Sequence, residues 1–168
     1  MKKWRLIVFS LFFQVTSYAQ LNTDHIIANG RNALYFHDYV LAIQYFNQVI
    51  RAKPFLAEPY LLRAITKIQL EDYYGAKLDA DKAISINPFL SEAYYTRAYA
   101  NKKQSNFPQA LTDINQAIHY SPQNADYLIS RVDIYSLLND YEKAEEDINI
   151  LINRKPKEKT ILLLEKAR

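Results

Sequence analysis

The sequence predicts an all-α fold in which pairs of antiparallel helices repeat along the chain. Four prolines recur at intervals of 34 residues, at Pro54, Pro88, Pro122 and Pro156. Between them the apolar residues follow the 3.6-residue period of helices, and no segment after residue 19 shows the alternation of a half-buried strand. A fixed period of this length is typical of a solenoid, in which each unit buries its apolar face against its neighbours.

Three more positions hold the same kind of residue in every unit once the prolines are aligned. The columns are small (Ala42, Ala76, Ala110, Ala144), aromatic (Tyr39, Tyr73, Phe107, Tyr141) and helix-capping (Asp38, Asp72, Asn106, Asp140). The short side chains of the capping column accept hydrogen bonds from free N–H groups at a helix start. We therefore expect a first helix, a capped turn and a second helix in each unit. The second helix ends before the proline, whose ring disfavours helical geometry in the preceding residue.

The columns divide the chain into four units and a shorter ending. We expect units at 23–56, 57–90, 91–124 and 125–158, and a C-terminal helix at 159–168. The two remaining prolines, Pro59 and Pro108, fall in the first turn of a helix, where a missing N–H is tolerated. The apolar ending, ILLLEKAR, leaves three alternatives open. It could cap the fourth unit, associate with another copy of the chain, or mark a piece of a longer protein.

Residues 1–19 have the features of a secretory signal peptide. Lys2, Lys3 and Arg5 precede an apolar stretch at 6–15, and small residues at Ser17 and Ala19 follow. That stretch spans only about half of the roughly 30 Å hydrocarbon core of a bilayer, which disfavours a permanent anchor. We expect cleavage after Ala19. The domain at 20–168 would then be exported, periplasmic or secreted, without a stable membrane anchor.

Composition and charge exclude several classes of function. Three of the 21 basic residues lie in the first five positions, which leaves 18 basic against 18 acidic residues in the rest of the chain. A neutral body argues against nucleic-acid binding, which needs a surplus of Lys and Arg. The absence of cysteine excludes thiolate metal sites and disulfides, and two glycines leave no phosphate-binding loop. The three histidines are far apart and lack the helical spacing of metal ligands, so we expect no metal site. Carboxylate pairs such as Asp79 and Asp81 are ordinary on a solvated helix face, so we expect no catalysis and no cofactor.

Arginine and aspartate recur together, 16 residues apart. The pairs are Arg63 with Asp79, Arg97 with Asp113 and Arg131 with Asp147, whereas the first unit has Asn29 and Tyr45 at these places. Joint presence and joint absence predict an Arg–carboxylate bridge within a unit or to the next one. The alternative is a row of arginines that binds an acidic ligand.

The period, the alanine and aromatic columns and the prolines together resemble the tetratricopeptide repeat (TPR) over residues 23–158. The resemblance implies a right-handed α-solenoid of four units plus a partial fifth helix. It also implies a non-catalytic scaffold or adaptor that binds a protein or peptide along a concave face. The implied groove residues are Ile27, Arg31, Tyr35, Leu61, Ile65, Gln69, Tyr95, Tyr99, Lys102, Ile129, Asp133 and Ser136.

This groove is mainly aliphatic and aromatic. TPR proteins that grip a C-terminal carboxylate use Lys, Asn and Arg at several of these places, so we expect no carboxylate clamp. An extended peptide or amphipathic helix along Tyr95 and Tyr99 fits better. Leu61, Ile65 and Ile129 could equally pack between units. The rival functions are a regulatory segment of a longer enzyme or envelope-assembly protein, and a structural solenoid that self-associates through its C-terminal helix.

Overall fold

A computed structural model describes residues 22–154, which form eight α-helices joined by short turns. The helices are α1 Thr23–Tyr35, α2 Tyr39–Ala52, α3 Ala57–Gln69, α4 Tyr73–Ile86, α5 Ser91–Lys103, α6 Phe107–Tyr120, α7 Ala125–Leu137 and α8 Tyr141–Arg154. These residues contain no strand, and the all-α repeat fold is confirmed. The expected signal peptide at 1–19, Pro156 and the expected helix at 159–168 lie outside the described residues.

The second helices of the first two units begin with side-chain caps from the predicted column. Asp38 accepts a hydrogen bond from the N–H of Leu41 at 3.2 Å, and Asp72 accepts one from the N–H of Gly75 at 2.8 Å. Asn106 precedes α6 without such a bond, although Pro108 lies in the first turn of that helix. The caps satisfy N–H groups that have no partner within the helix, which fixes where these helices begin.

Each first helix ends in a left-handed residue that is not glycine. His37, Glu71, Ser105 and Asn139 have φ values of 59–63°. In the first unit, Asp38 N–H donates to the carbonyl of Ala33 at 2.8 Å, and His37 N–H donates to that of Leu34 at 3.1 Å. This is the Schellman pattern of a helix C-terminus, which usually places glycine at the left-handed position.

The apolar cores cross the unit boundaries. One cluster joins Phe46 and Val49 of α2 to Leu62 of α3, and another joins Ile114 of α6 to Tyr127 of α7. The alanine column lies inside, since Ala42, Ala76 and Ala110 are fully buried and Ala144 is nearly so. Small residues at these places allow the helices to approach closely, so each unit is stabilised by the next.

The first helices of the units form the inner layer of the stack. Consecutive helices pack on each other throughout, and closer contacts also join α1 to α3 and α3 to α5. In a curved array, the helices that approach each other most closely lie on the inside of the curve. The contact between α5 and α7 is weaker than either of these. Within 22–154 no helix is long and apolar enough to cross a membrane.

Candidate functional site

Six of the expected groove residues lie together in one cleft between α5 and α7. The cleft has a volume of about 450 Å³. It is lined by Tyr95, Tyr99 and Lys102 of α5, and by Asp126, Ile129, Ser130, Val132, Asp133 and Ser136 of α7. We call this surface the tyrosine cleft. Its lining includes the exposed side chains of Asp126 and Ile129, so its walls are accessible to a ligand.

Aromatic and apolar side chains form much of the tyrosine cleft. Tyr95 stacks on the buried Tyr127 with ring centroids 5.0 Å apart. Burial raises the pKa of Tyr95 above its ordinary value, and the nearby Asp126 carboxylate raises it further. On the other wall, Ile129 is 55% exposed. A rigid, stacked ring beside an exposed aliphatic side chain offers apolar contact with little loss of side-chain freedom.

One ion pair spans the tyrosine cleft. Lys102 Nζ lies 2.5 Å from Asp133 Oδ2 and 5.4 Å from the ring centroid of Tyr99. The lysine side chain is only 16% exposed. Its charge is therefore already neutralised by the protein, and Lys102 is poorly placed to receive the carboxylate of a ligand.

Three other expected groove residues line a separate cleft at the N-terminal end. Tyr35, Ile65 and Gln69 surround about 630 Å³ together with Leu34, Phe36, His37 and Tyr39. The rings of Tyr35 and Phe36 meet edge to face at 5.1 Å, and both are about three-quarters exposed. These nine expected residues thus lie in two separate clefts rather than along one continuous stripe.

The last three expected groove residues are not free to line a groove. Ile27 is 7% exposed and Leu61 is 4% exposed, which corrects their assignment as ligand contacts. Ile27 packs with Phe46 in the first core cluster, and Leu61 packs with other apolar residues of the second and third units. Arg31 is exposed, but its Nη2 donates to Glu58 Oε1 at 2.8 Å.

All three arginines hold the aspartate 16 residues ahead in a two-pronged hydrogen bond. In the third unit, Arg97 Nε and Nη2 donate to the two carboxylate oxygens of Asp113 at 3.0 and 2.6 Å. Burial alone lowers the pKa of Arg97, but hydrogen bonds to Asp113 and Asp81 outweigh that effect, and the pKa is raised. The same geometry joins Arg63 to Asp79 and Arg131 to Asp147.

The remaining guanidinium nitrogen of each arginine, Nη1, donates to the second helix of the preceding unit. Arg97 Nη1 donates to Asp81 at 2.6 Å, Arg131 Nη1 donates to Asn115 at 2.8 Å, and Arg63 Nη1 donates to Asn47. Each guanidinium therefore links three helices and is fully engaged, which argues against the row of arginines as a ligand site. Sequence reasoning missed the acceptor column of Asn47, Asp81 and Asn115, although its 34-residue spacing is a detectable signal.

The neighbouring carboxylates of Asp79 and Asp81 do not share one site. Asp79 and Asp81 are close in sequence, but Asp79 binds Arg63 and Lys67 whereas Asp81 binds Arg97. Because the two carboxylates bind different cations, they do not share an environment. Acid–base catalysis by a carboxylate pair needs a shared environment in which the two pKa values differ. Between residues 22 and 154, no three His, Asp or Glu side chains are grouped to hold a metal ion.

Comparison with known proteins supports the repeat family. A model described as "Tetratricopeptide repeat" matches residues 125–158. No curated protein matches the sequence.

Solved TPR structures share the fold at low sequence identity. The Arabidopsis OM64 TPR domain has a TM-score of 0.66 at 21% identity, over 68% of this chain and 94% of that domain. The crystal structure of MamA protein has a TM-score of 0.73 at 15% identity, over 83% of this chain and 76% of that one. The first TPR of Spaghetti (RPAP3), bound to the HSP90 peptide SRMEEVD, has a TM-score of 0.60 at 18% identity, over 76% and 93%. The chain therefore has the tetratricopeptide-repeat fold, and the match of its fourth unit to the repeat model supports a tetratricopeptide-repeat protein.

Proposed function

We propose that this protein is an exported, non-catalytic scaffold that binds a segment of a protein partner in the tyrosine cleft. The observation that carries the proposal is the cleft between α5 and α7, which offers about 450 Å³ of open space against Tyr95, Tyr99 and Ile129. Aromatic side chains are over-represented among residues that dominate binding energy, because they give a large contact area at low entropic cost. An extended peptide or an amphipathic helix fits such a cleft.

Structural relatives favour a peptide ligand but not the same chemistry of recognition. The Spaghetti TPR binds the acidic HSP90 peptide SRMEEVD. In the present chain the cleft lysine is already paired with Asp133, and Asp126 adds a second carboxylate. We therefore propose an internal segment of the partner as the ligand rather than a free C-terminal carboxylate.

Affinity capture with matched tyrosine variants tests this proposal. The purified protein, Tyr99→Ala and Tyr74→Ala are each incubated with cell-envelope extract, and retained proteins are identified by mass spectrometry. Tyr74 is 67% exposed on α4 and lies outside the tyrosine cleft, so it controls for the loss of an exposed ring. We expect a protein that the wild type and Tyr74→Ala retain and Tyr99→Ala loses. Equal retention by all three would contradict the assignment of the cleft.

Export is tested separately by N-terminal sequencing of the protein from each cell fraction. Cleavage after Ala19 predicts the sequence QLNTD at the start of the exported protein. A form that begins at Met1 in the membrane fraction would contradict export as a cleaved protein and leave the binding proposal unaffected.

A further inference from the structure

The tyrosine cleft carries an uncompensated carboxylate at one end. Asp126 is exposed in the first turn of α7. Its backbone N–H donates to Asn124, but its carboxylate has no hydrogen bond or ion pair with any residue that the structure describes. The cations of the cleft region lie toward the other end, where Lys102 binds Asp133 and Lys103 lies over the ring of Tyr99. Seven residues of helix, or about 10 Å, separate Asp126 from Asp133. This distance exceeds the screening length at physiological ionic strength, so the cation bound to Asp133 does not compensate the charge of Asp126.

The repeat itself shows which group occupies the equivalent place between the first two units. Two repeat lengths before Asp126 stands Glu58, and two repeat lengths before Tyr99 stands Arg31. Arg31 Nη2 donates to Glu58 Oε1 at 2.8 Å across the boundary between those units. The protein thus supplies a guanidinium from its own chain to the carboxylate that starts α3.

Between the third and fourth units the carboxylate is kept and the cation is missing. Tyr99 replaces the arginine, so the space beside Asp126 is part of the open cleft instead of being filled by a side chain. A carboxylate in the first turn of a helix is common for electrostatic reasons, and Asp126 alone would identify no ligand. The repeat register adds a second observation, because at the equivalent position between the first two units a guanidinium binds the carboxylate.

The walls beside Asp126 also suit a cation. Tyr95 lines the cleft, with Tyr127 stacked on one face. This protein already places guanidinium groups over tyrosine rings, with Arg97 5.5 Å from the ring centroid of Tyr94 and Arg63 5.7 Å from that of Tyr60. Such contacts are attractive because the face of the ring is negative.

We infer that the partner inserts an arginine or lysine side chain into the tyrosine cleft, between Asp126 and the tyrosines of α5, next to an apolar side chain that packs on Ile129. The inference rests on the proposed function and specifies its ligand. The incoming cation takes at Asp126 the place that Arg31 takes at Glu58. Because the body of the protein carries no net charge outside its first five residues, this selection acts locally and not by long-range attraction.

A peptide library tests the inference directly. The probes are nine-residue peptides, blocked at both ends, that are random except for one fixed position occupied by Arg, Lys, Gln or Glu. We expect the purified protein to retain the Arg and Lys sublibraries above the Gln and Glu sublibraries. The sequences retained should carry an aliphatic or aromatic residue near the fixed cation.

Variants then assign the effect to Asp126. With the best retained peptide, Asp126→Asn should weaken binding about two- to fivefold, the range of an exposed ion pair, and added salt should reduce the difference. Asp24→Asn is the matched control, since Asp24 occupies the same place in the first turn of α1 and lies outside the cleft. Tyr99→Arg provides an independent check, because it recreates the pair formed by Arg31 and Glu58 and should compete with the cation of the peptide.

The possible outcomes separate this inference from the proposed function. Gln or Glu peptides that bind as well as Arg peptides, or an Asp126→Asn protein that binds like Asp24→Asn, overturn the inference. If such binding is still lost in Tyr99→Ala, the cleft remains the binding site. Retention of no sublibrary, or retention that does not depend on Tyr99, overturns both.

Discussion

Replacing Arg97 with alanine should markedly destabilise the fold. Arg97 provides two of the three hydrogen bonds to the carboxylate of Asp113, and the third comes from Asn101 Nδ2 at 3.0 Å. Asp113 is 4% exposed, so its charge would lose its counter-ion in a poorly hydrated place. Removal of one partner from a buried ion pair costs about 3–5 kcal/mol. Because the Arg97 side chain is itself 23% exposed, water can enter and the lower end, about 3 kcal/mol, applies.

A thermal melt followed by circular dichroism measures this loss. For a protein of this size, a loss of 3 kcal/mol lowers Tm by about 6–12 °C. Arg31→Ala is the control, because the Arg31 and Glu58 side chains are about half exposed. Exposed pairs contribute at most about 1 kcal/mol, so that control should melt near the wild type.

Two results would refute the reasoning. If Arg97→Ala melts no lower than Arg31→Ala, the three-helix connection does not stabilise the stack. The double variant Arg97→Met, Asp113→Asn removes the unpaired charge and keeps a side-chain oxygen to accept from Asn101 Nδ2, so it should recover stability relative to Arg97→Ala. A double variant less stable than Arg97→Ala would show that loss of the counter-ion is not the source of the effect.

Three further outcomes follow from the geometry. Glu71→Gly should raise the free energy of unfolding by about 0.5–1 kcal/mol, because glycine avoids the strain of a left-handed residue but loses more backbone entropy; Asn139→Gly should gain less in the same denaturant titration. Gly30→Ala should lower stability by about 1–3 kcal/mol, since the added Cβ would lie 2.5 Å from Cε1 of the fully buried Phe46; unchanged stability would mean that the ring can move aside. The raised pKa of Tyr95 stabilises the fold below the ordinary tyrosine pKa, and this contribution is lost as the pH rises through the folded-state value. Thermal melts between pH 9 and 12, a range about the ordinary tyrosine pKa, should therefore fall less steeply for Tyr95→Phe than for the wild type.

The repeat made the helices predictable to a degree that single elements rarely allow. Each structural position is sampled several times, so Pro54 and its equivalents agree on where second helices end, and Asp38 and its equivalents agree on where they begin. The arginine and aspartate columns likewise predicted pairs that the structure forms. The arginine and the aspartate occur together in three units and are both absent from the first. Such a pattern indicates pairing and is visible in the sequence alone.

Local preference failed where hydrogen bonding and packing decided the backbone. The first helices are followed by left-handed residues, although Glu71 and Ser105 are not residue types that favour this conformation. The two backbone hydrogen bonds of the helix end and the capped helix that follows impose the turn.

The carbonyl of Pro122 receives its hydrogen bond from a different donor than in the other units, because Leu128 occupies the donor position. Leu128 stands where Tyr94 donates to the carbonyl of Pro88, and because leucine cannot donate, Arg154 of the next helix binds the equivalent carbonyl of Pro122 at 2.9 Å.

The exposure of the groove residues also depended on packing. Ile27 and Ile129 have the same residue type and the same place in their helices, three repeat lengths apart. The first is buried in a cluster with Phe46 and Leu62, whereas the second is 55% exposed on the wall of the tyrosine cleft. The distance between neighbouring helices depends on side chains from both units, and hydrophobic period alone does not reveal it.

By itself, the sequence determined the helices, their order, the caps at Asp38 and Asp72 and the arginine–aspartate pairs, because all of these depend on residue type at a fixed spacing. Tertiary structure alone decided that the expected stripe divides into two clefts, that the arginines are fully engaged, and that Asp126 faces an open cleft without the cation that Glu58 receives from Arg31. The reason is physical. Periodicity specifies which face of a helix a residue occupies, whereas accessibility and ion pairing depend on how closely the next helix approaches that face.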